Sequence, residues 1–224
     1  MSPFATSPEP RAPGPMAAFA PSPRFIEALR RFDEANAQDP NRDSDNGCEH
    51  PREWLYAQRL SAWVLKLAPD ASEPLRLAAR CQHLRRWEIP RDTYPADRPG
   101  YLRWRKDLRQ FHARHAAEIL TAVGYEPETL NRVRSLNLKE NLGKDPELQV
   151  LEDALCLVFL EFQFADLAGR SEEGKMVNAV RKSWGKMSAA GHAAALTLTY
   201  GNREQAILAL ALSSAEPTPE APNR

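Results

Sequence analysis

Residues 145–168 read DPELQVLEDALCLVFLEFQFADLA, and this stretch decides the fold. Asp145 can cap a helix, and Pro146 suits its first turn, where a missing N–H costs nothing. From Leu148 onward the surface is apolar nearly all the way round a 3.6-residue period, which predicts a central helix covered by others. Glu152, Asp153 and Glu161 interrupt that surface, and an ionised carboxylate there is costly unless paired. Asp153 shares a face with Val150, Leu157 and Leu160, so it is expected to point inward, to an arginine or to a metal ion or proton.

Working outward, helix start and stop signals recur on both sides, and no stretch alternates with the period of two that marks a strand. The expectation is an all-α, single-domain helical bundle. Helices are predicted from about 23 to 38, from Pro51 through Trp54, Leu55, Trp63, Val64 and Leu67, and from Ser72 until Pro90 forbids continuation. Others are predicted at about 101–123, closed by Gly124, and at 127–142, closed by Gly143. The last two are expected at about 172–186 and 202–212, while DPNRDSDNG at 39–47 is expected to be a loop.

At 224 residues the chain fits one core, since a single core serves up to roughly 250 residues. Residues 1–23 hold seven prolines among Ser, Ala and Gly, and 214–224 read SAEPTPEAPNR. Both stretches are expected to be disordered tails flanking a helical domain at 24–213. Thirty Lys and Arg balance thirty Asp and Glu, so no global field draws the chain to nucleic acid or membrane, and a charged partner must be met locally. The start MSPFATSPEP lacks the pattern of a signal peptide, and no run of some 18 apolar residues occurs. Three widely spaced cysteines, Cys48, Cys81 and Cys156, fit reduced thiols and a cytoplasmic location.

Chemistry-bearing residues lie on several predicted helices. His112 and His115 are three residues apart and share a face with Leu108, Phe111 and Ile119, so they can ligate a metal, relay a proton or simply be satisfied core histidines. His50 precedes a helix in the triplet CEH, and His83 lies near the end of another helix. Between Arg80 and Arg114 arginines alternate with Trp87, Tyr94, Tyr101 and Trp104. Guanidinium forks suit phosphate and carboxylate, while aromatic faces suit rings. Arg85, Arg86, Arg103 and Arg105 are the expected clamp on an anionic small molecule, and a solvated helix face is the plainer alternative.

Taken in order, His50, the doublet Gln82–His83 after LRLAARC, His112 in HARHAAEIL and Asp153 in LEDALCLVF resemble the HD-domain superfamily of metal-dependent phosphohydrolases over about residues 49–166. That resemblance implies an all-helical fold and a divalent metal, Fe, Mn, Zn or Ni, held by His50, His83, His112 and Asp153. His115 and Lys139 become acid–base candidates. The superfamily carries His–Asp where this chain has Gln82–His83. The phrases QHLRRWEIPRDTYP, DRPGYLRWRKDL, LEDALCLVFLE and VRKSWGKMS are similar to the family of domain of unknown function 4202, which implies no set activity.

The function expected is a variant HD-like metal-dependent hydrolase, or less readily an iron oxygenase, acting on a phosphorylated or otherwise anionic small molecule. The rival is a non-catalytic module that recognises a nucleotide, RNA or metabolite, or an interaction protein on the same scaffold.

Overall fold

The computed structural model describes residues 19–213. The tails expected at 1–23 and 214–224 lie outside the described residues, apart from 19–23. Those five do not trail away. Phe19 packs edge-on against Phe25 at 5.1 Å between ring centroids, beneath the Arg76 guanidinium at 4.1 Å.

Helix α1 (Pro23–Asn36) starts where Ser22 Oγ accepts the Phe25 N–H at 3.1 Å, and it buries the stripe Phe25, Ala28, Phe32 and Asn36. The stretch expected as a loop then forms a hairpin, β1 (Arg42–Asp45) paired antiparallel with β2 (Cys48–Pro51), with Asp43 opposite His50. Asn46 and Gly47 turn it, both left-handed, at φ 49° and 79°. An Asn-Gly pair is a strong hairpin signal, but the strands flanking it are polar and show no apolar alternation. Helix α2 (Arg52–Leu67) comes next and buries Leu55, Leu60, Trp63 and Val64.

Helix α3 (Glu73–Cys81) is capped by Ser72 and stops well before Pro90. The cause is tertiary. Arg85 takes a left-handed conformation, φ 55°, and its N–H donates to Oδ1 of the fully buried Asn36 at 3.0 Å, so the chain leaves the helix axis to reach α1. Two single 3₁₀ turns, at Arg86–Glu88 and Arg91–Thr93, carry it to α4 (Arg98–Val123). That helix is capped by Asp97 and closed by left-handed Gly124, as expected. Helix α5 (Pro127–Leu138) ends early, with Lys139 left-handed at φ 62°.

Helix α6 (Pro146–Val158) begins on Asp145, which accepts the N–H groups of Glu147 and Leu148 and is held by Arg132 of α5. It is central. Leu148, Leu151, Ala154 and Leu157 are fully buried, and α2 and α3 pack on it. One π-helical segment, Phe159–Gln163, joins it to α7 (Phe164–Arg170), so residues 146–170 form a continuous helix with a local widening. Helices α8 (Glu173–Trp184), α9 (Ala189–Ala195) and α10 (Asn202–Ser213) close the bundle. Short α9, in a run of small residues, is the one helix the sequence did not announce. One core runs from Phe25 to Ala211, so the described chain is a single all-α domain with one small hairpin. Among the described residues no helix is long and apolar enough to cross a membrane.

Candidate functional site

The irregular segment after α3 is what builds a cavity. Released from the helix, Gln82, His83 and Arg86 face α4, and the Trp104 indole of α4 donates to the Ile89 carbonyl at 3.0 Å, fastening the segment across it. Arg86 lies over the Trp104 ring at 4.9 Å. The result is a cavity of about 240 Å³ between this segment, α4, the end of α5 and α6. His112, Gln82 and Glu152 lie at its floor, each buried, while Tyr101, Arg105 and Lys186 stand exposed at its rim.

Charge decides its character. Arg86, Arg105, Arg109, Lys139 and Lys186 line it, against one carboxylate, Glu152. Lys139 is bonded to Glu152, and Arg86 stands 3.6 Å from Glu53, which leaves Arg105, Arg109 and Lys186 with no ion-pair partner among the described residues. Burial, only partly offset by Glu152, holds the Lys139 ammonium below its ordinary pKa.

The two imidazoles are neutral. His112 Nδ1 stands 2.7 Å from the Leu84 carbonyl oxygen and can only donate to it, which makes Nε2 the acceptor. That Nε2 is buried and has no partner. Burial, reinforced by neighbouring His83, lowers the His112 pKa to about 3. His83 lies beside it, ring centroids 5.8 Å apart, and stacks on Tyr56 at 4.1 Å. Burial first, then Arg86, Lys139 and Arg105, holds His83 well below its ordinary value. Behind it Glu53 Oε2 lies 3.3 Å from His83 Nδ1 without hydrogen-bond alignment. Burial pushes the Glu53 carboxyl up to about 7 although Arg86 opposes the shift.

Of the expected site residues, His83, His112, Lys139, Arg86 and Arg105 share this cavity. The others stand apart. His50 sits on the hairpin, stacked on Trp54 at 5.3 Å. Asp153, buried on the other side of α6, accepts the Ser188 N–H at 2.8 Å, the Ser188 hydroxyl at 2.5 Å and the Gln149 amide at 3.0 Å. His115 is paired with Glu118 at 2.8 Å and edge-on to Phe111. Arg85 turns to Glu88 at 2.5 Å, and Arg103 is exposed outside the cavity. The set His50, His83, His112 and Asp153 therefore does not assemble around one ion, because the hairpin carries His50 away and three hydrogen bonds occupy Asp153. Among the described residues no three His, Cys, Asp or Glu side chains are grouped to hold a metal. Glu161, expected inside, is exposed and accepts the Trp63 indole N–H at 2.6 Å.

Sequence reasoning missed Glu53 and Tyr56 as parts of the site, and it left Arg109 and Lys186 out of the four-arginine clamp although both stand in basic stretches of the sequence. Arg109 lies in the arginine-rich run 80–114, and Lys186 follows Lys175, Arg181 and Lys182 in a second basic segment that could close over the same pocket; Glu53 carried no signal, since a Glu in the first turn of a helix is ordinary.

The chain belongs to the family of domain of unknown function DUF4202, whose model matches residues 26–208. No curated protein and no solved structure matches it.

Proposed function

We propose that this DUF4202 chain binds a small molecule bearing a phosphate or carboxylate in the cavity between α3, α4 and α6, and hydrolyses it as a cytoplasmic enzyme. The observation that carries the reading is five cationic side chains facing one carboxylate around a buried imidazole whose Nε2 has no partner. Guanidinium forks from Arg86, Arg105 and Arg109 take the anionic oxygens, and Trp104 and Tyr101 flank the remainder. A water on the His112 lone pair attacks the phosphorus of a phosphate ester, its proton passes to Nε2, and the bond from phosphorus to the ester oxygen breaks as that oxygen takes the proton back from Nε2, releasing alcohol and phosphate. The negative charge of the ligand raises the basicity of His112, which burial first, then His83 and Arg86, hold down.

The resemblance to metal-dependent HD phosphohydrolases finds no support in the placement of His50 and Asp153, so no step is routed through a metal. A second reading, anion binding without turnover, is favoured by one observation: His112 is 2% exposed, and that burial holds its pKa far below the range where a general base works best.

The test is a thermal-shift panel of inorganic phosphate, phosphate monoesters and carboxylates, with and without divalent metals, followed by assay of phosphate release. Ligand stabilisation is expected in the native chain and lost in the double charge reversal Arg86→Glu, Arg109→Glu. Phosphate release lost in His112→Ala at near-native affinity supports hydrolysis. Binding with no release from any ester leaves the binding module. No stabilisation by any of these ligands ends both readings.

A further inference from the structure

A second cavity, of about 460 Å³, lies behind the first and shares Tyr56, His83, Arg86 and Gln163 with it. Its chemistry is different. Four arginines, Arg52, Arg59, Arg86 and Arg170, line it with three carboxyl groups, Asp43, Glu53 and Asp166, so the cationic excess is smaller than in the first cavity. Arg59 is committed to Asp43 and Asp45 at 3.4 and 2.9 Å, and Arg170 to Asp166 at 2.7 Å. Val158, Phe162 and Leu167 supply apolar wall, and the widened helical segment at 159–163 contributes Phe162 and Gln163. Such π-helical segments often occur at functional sites.

Orphaned polar atoms tie the two cavities together. Among the described residues five buried side-chain atoms lack any hydrogen-bond partner, and four of them belong to residues lining these cavities. Gln82 Oε1 and His112 Nε2 are in the first; Glu53 Oε2 and Arg59 Nε are in the second. Native interiors rarely leave such groups unpaired without a ligand or water to meet them. Gln82, Glu53 and His112 are 4, 7 and 2% exposed, so bulk solvent does not satisfy them. The first cavity alone is smaller than the roughly 300–1,000 Å³ usual for small-molecule sites, and the two together fall within it.

Resting on the anion-binding reading above, we infer that the ligand is a sugar phosphate: its phosphate sits among the cations of the first cavity, and its neutral, hydroxyl-bearing skeleton passes the Tyr56–His83 stack into the second. Hydroxyls suit the second cavity because each is both donor and acceptor, and can meet a carboxyl oxygen of Glu53 and an N–H of Arg59 alike. A second anion suits it less than the first cavity, since Arg59 and Arg170 are already committed to carboxylates and Asp43, Glu53 and Asp166 line it. A purely apolar tail would leave the orphaned atoms unpaired.

Calorimetric titration with inorganic phosphate, ribose 5-phosphate and free ribose separates the contributions. Ribose 5-phosphate is expected to bind at least tenfold tighter than phosphate, and ribose alone only weakly. Leu167→Trp and Val158→Phe each narrow the second cavity from its apolar wall without touching a polar atom. Each is expected to erase the tenfold gain while phosphate affinity stays within about twofold. If one variant does not fold, the other carries the test. Ribose 5-phosphate binding no tighter than phosphate, or a gain that survives the folded variants, overturns this inference and leaves anion binding standing. Failure of phosphate and ribose 5-phosphate alike to bind removes the anion reading and this inference with it.

Discussion

Glu152 and Asp153 are neighbours on α6, equally buried at 2 and 3% exposure, and they face two different regions of the molecule. On the Asp153 side the chain meets every need of the carboxylate itself, with two donors from Ser188 and one from Gln149. Gly191 packs so close that a Cβ there would stand 2.8 Å from the Asp153 carboxyl carbon. That side is a joint, fastening the turn before α9 to the central helix. On the Glu152 side a single flexible lysine answers the carboxylate, and around it stand unpaired cations and an imidazole nitrogen with no partner. A buried carboxylate by itself therefore does not mark a site. The residual demand of its surroundings does.

The comparison is broken most directly by exchanging the two acids. Asp153→Ala strips acceptors from the Ser188 N–H and hydroxyl in a buried joint, and hydrogen bonds to charged groups are worth about 1.5–3 kcal/mol each. A loss of about 4 kcal/mol in urea denaturation is expected, with α9 loosened first in hydrogen exchange. Glu152→Gln keeps shape and an acceptor for Lys139 but takes the counter-charge from a buried ammonium, and is expected to cost about 2 kcal/mol. It removes the one carboxylate of the cavity, and phosphate should bind about tenfold tighter in calorimetry, roughly 1.4 kcal/mol. Equal destabilisation by both, with no gain in affinity, would erase the distinction drawn here.

The second prediction concerns pH. Glu53 is faced by Arg86, Asp39, Arg52 and His83, yet burial raises its carboxyl from 4.5 to about 7. A raised folded-state pKa gives stability that is fully present below pH 4.5 and lost as pH rises through about 7. His112 runs the other way: its pKa falls from 6.5 to about 3, so its contribution is present above 6.5 and lost as pH falls through 3. Glu53→Gln leaves the histidine behaviour in place and removes the carboxyl. The native chain minus this variant should therefore lose up to about 3 kcal/mol of stability between pH 5 and pH 8. A flat difference would mean that Glu53 is ionised throughout and that its region is a joint like that of Asp153.

How much of this was legible in the sequence divides along the same line. The buried α6 and the caps Asp145 and Gly124 were readable because helix periodicity and cap chemistry are local. Local reading failed where a distant partner intervened. Buried Asn36 captures the Arg85 N–H, which ends α3 early and turns Gln82, His83 and Arg86 toward α4. The hairpin was hidden because polar strands carry no alternation, although Asn46–Gly47 announced its turn. Glu152 and Asp153 were both visible as misplaced charges, but which of them faced a cavity depended on the turn before α9, in a run of small residues without strong periodicity. His83, His112, Arg86 and Arg105 were found by residue type; Glu53 and Arg109 acquire meaning only from the packing around them.

The smallest expected effect sharpens the contrast between two histidines that the sequence groups together. His83 is enclosed by Tyr56, His112 and Glu53, while His50 stacks on Trp54 at the edge of a hairpin and lines neither cavity. His50→Ala loses one partly exposed ring contact, worth about 0.5 kcal/mol. Melting temperature should fall by no more than about 2 °C, since 1 kcal/mol corresponds to about 2–4 °C in a chain of this size. Affinity for phosphate should not change within the error of calorimetry. His83→Ala, by contrast, removes a wall common to both cavities and should weaken ribose 5-phosphate more than phosphate. Were His50→Ala to weaken either ligand several-fold, β2 would belong to the site beside Asp43 of β1, and the four-residue grouping read from the sequence would regain its footing through a movement of the hairpin toward α4.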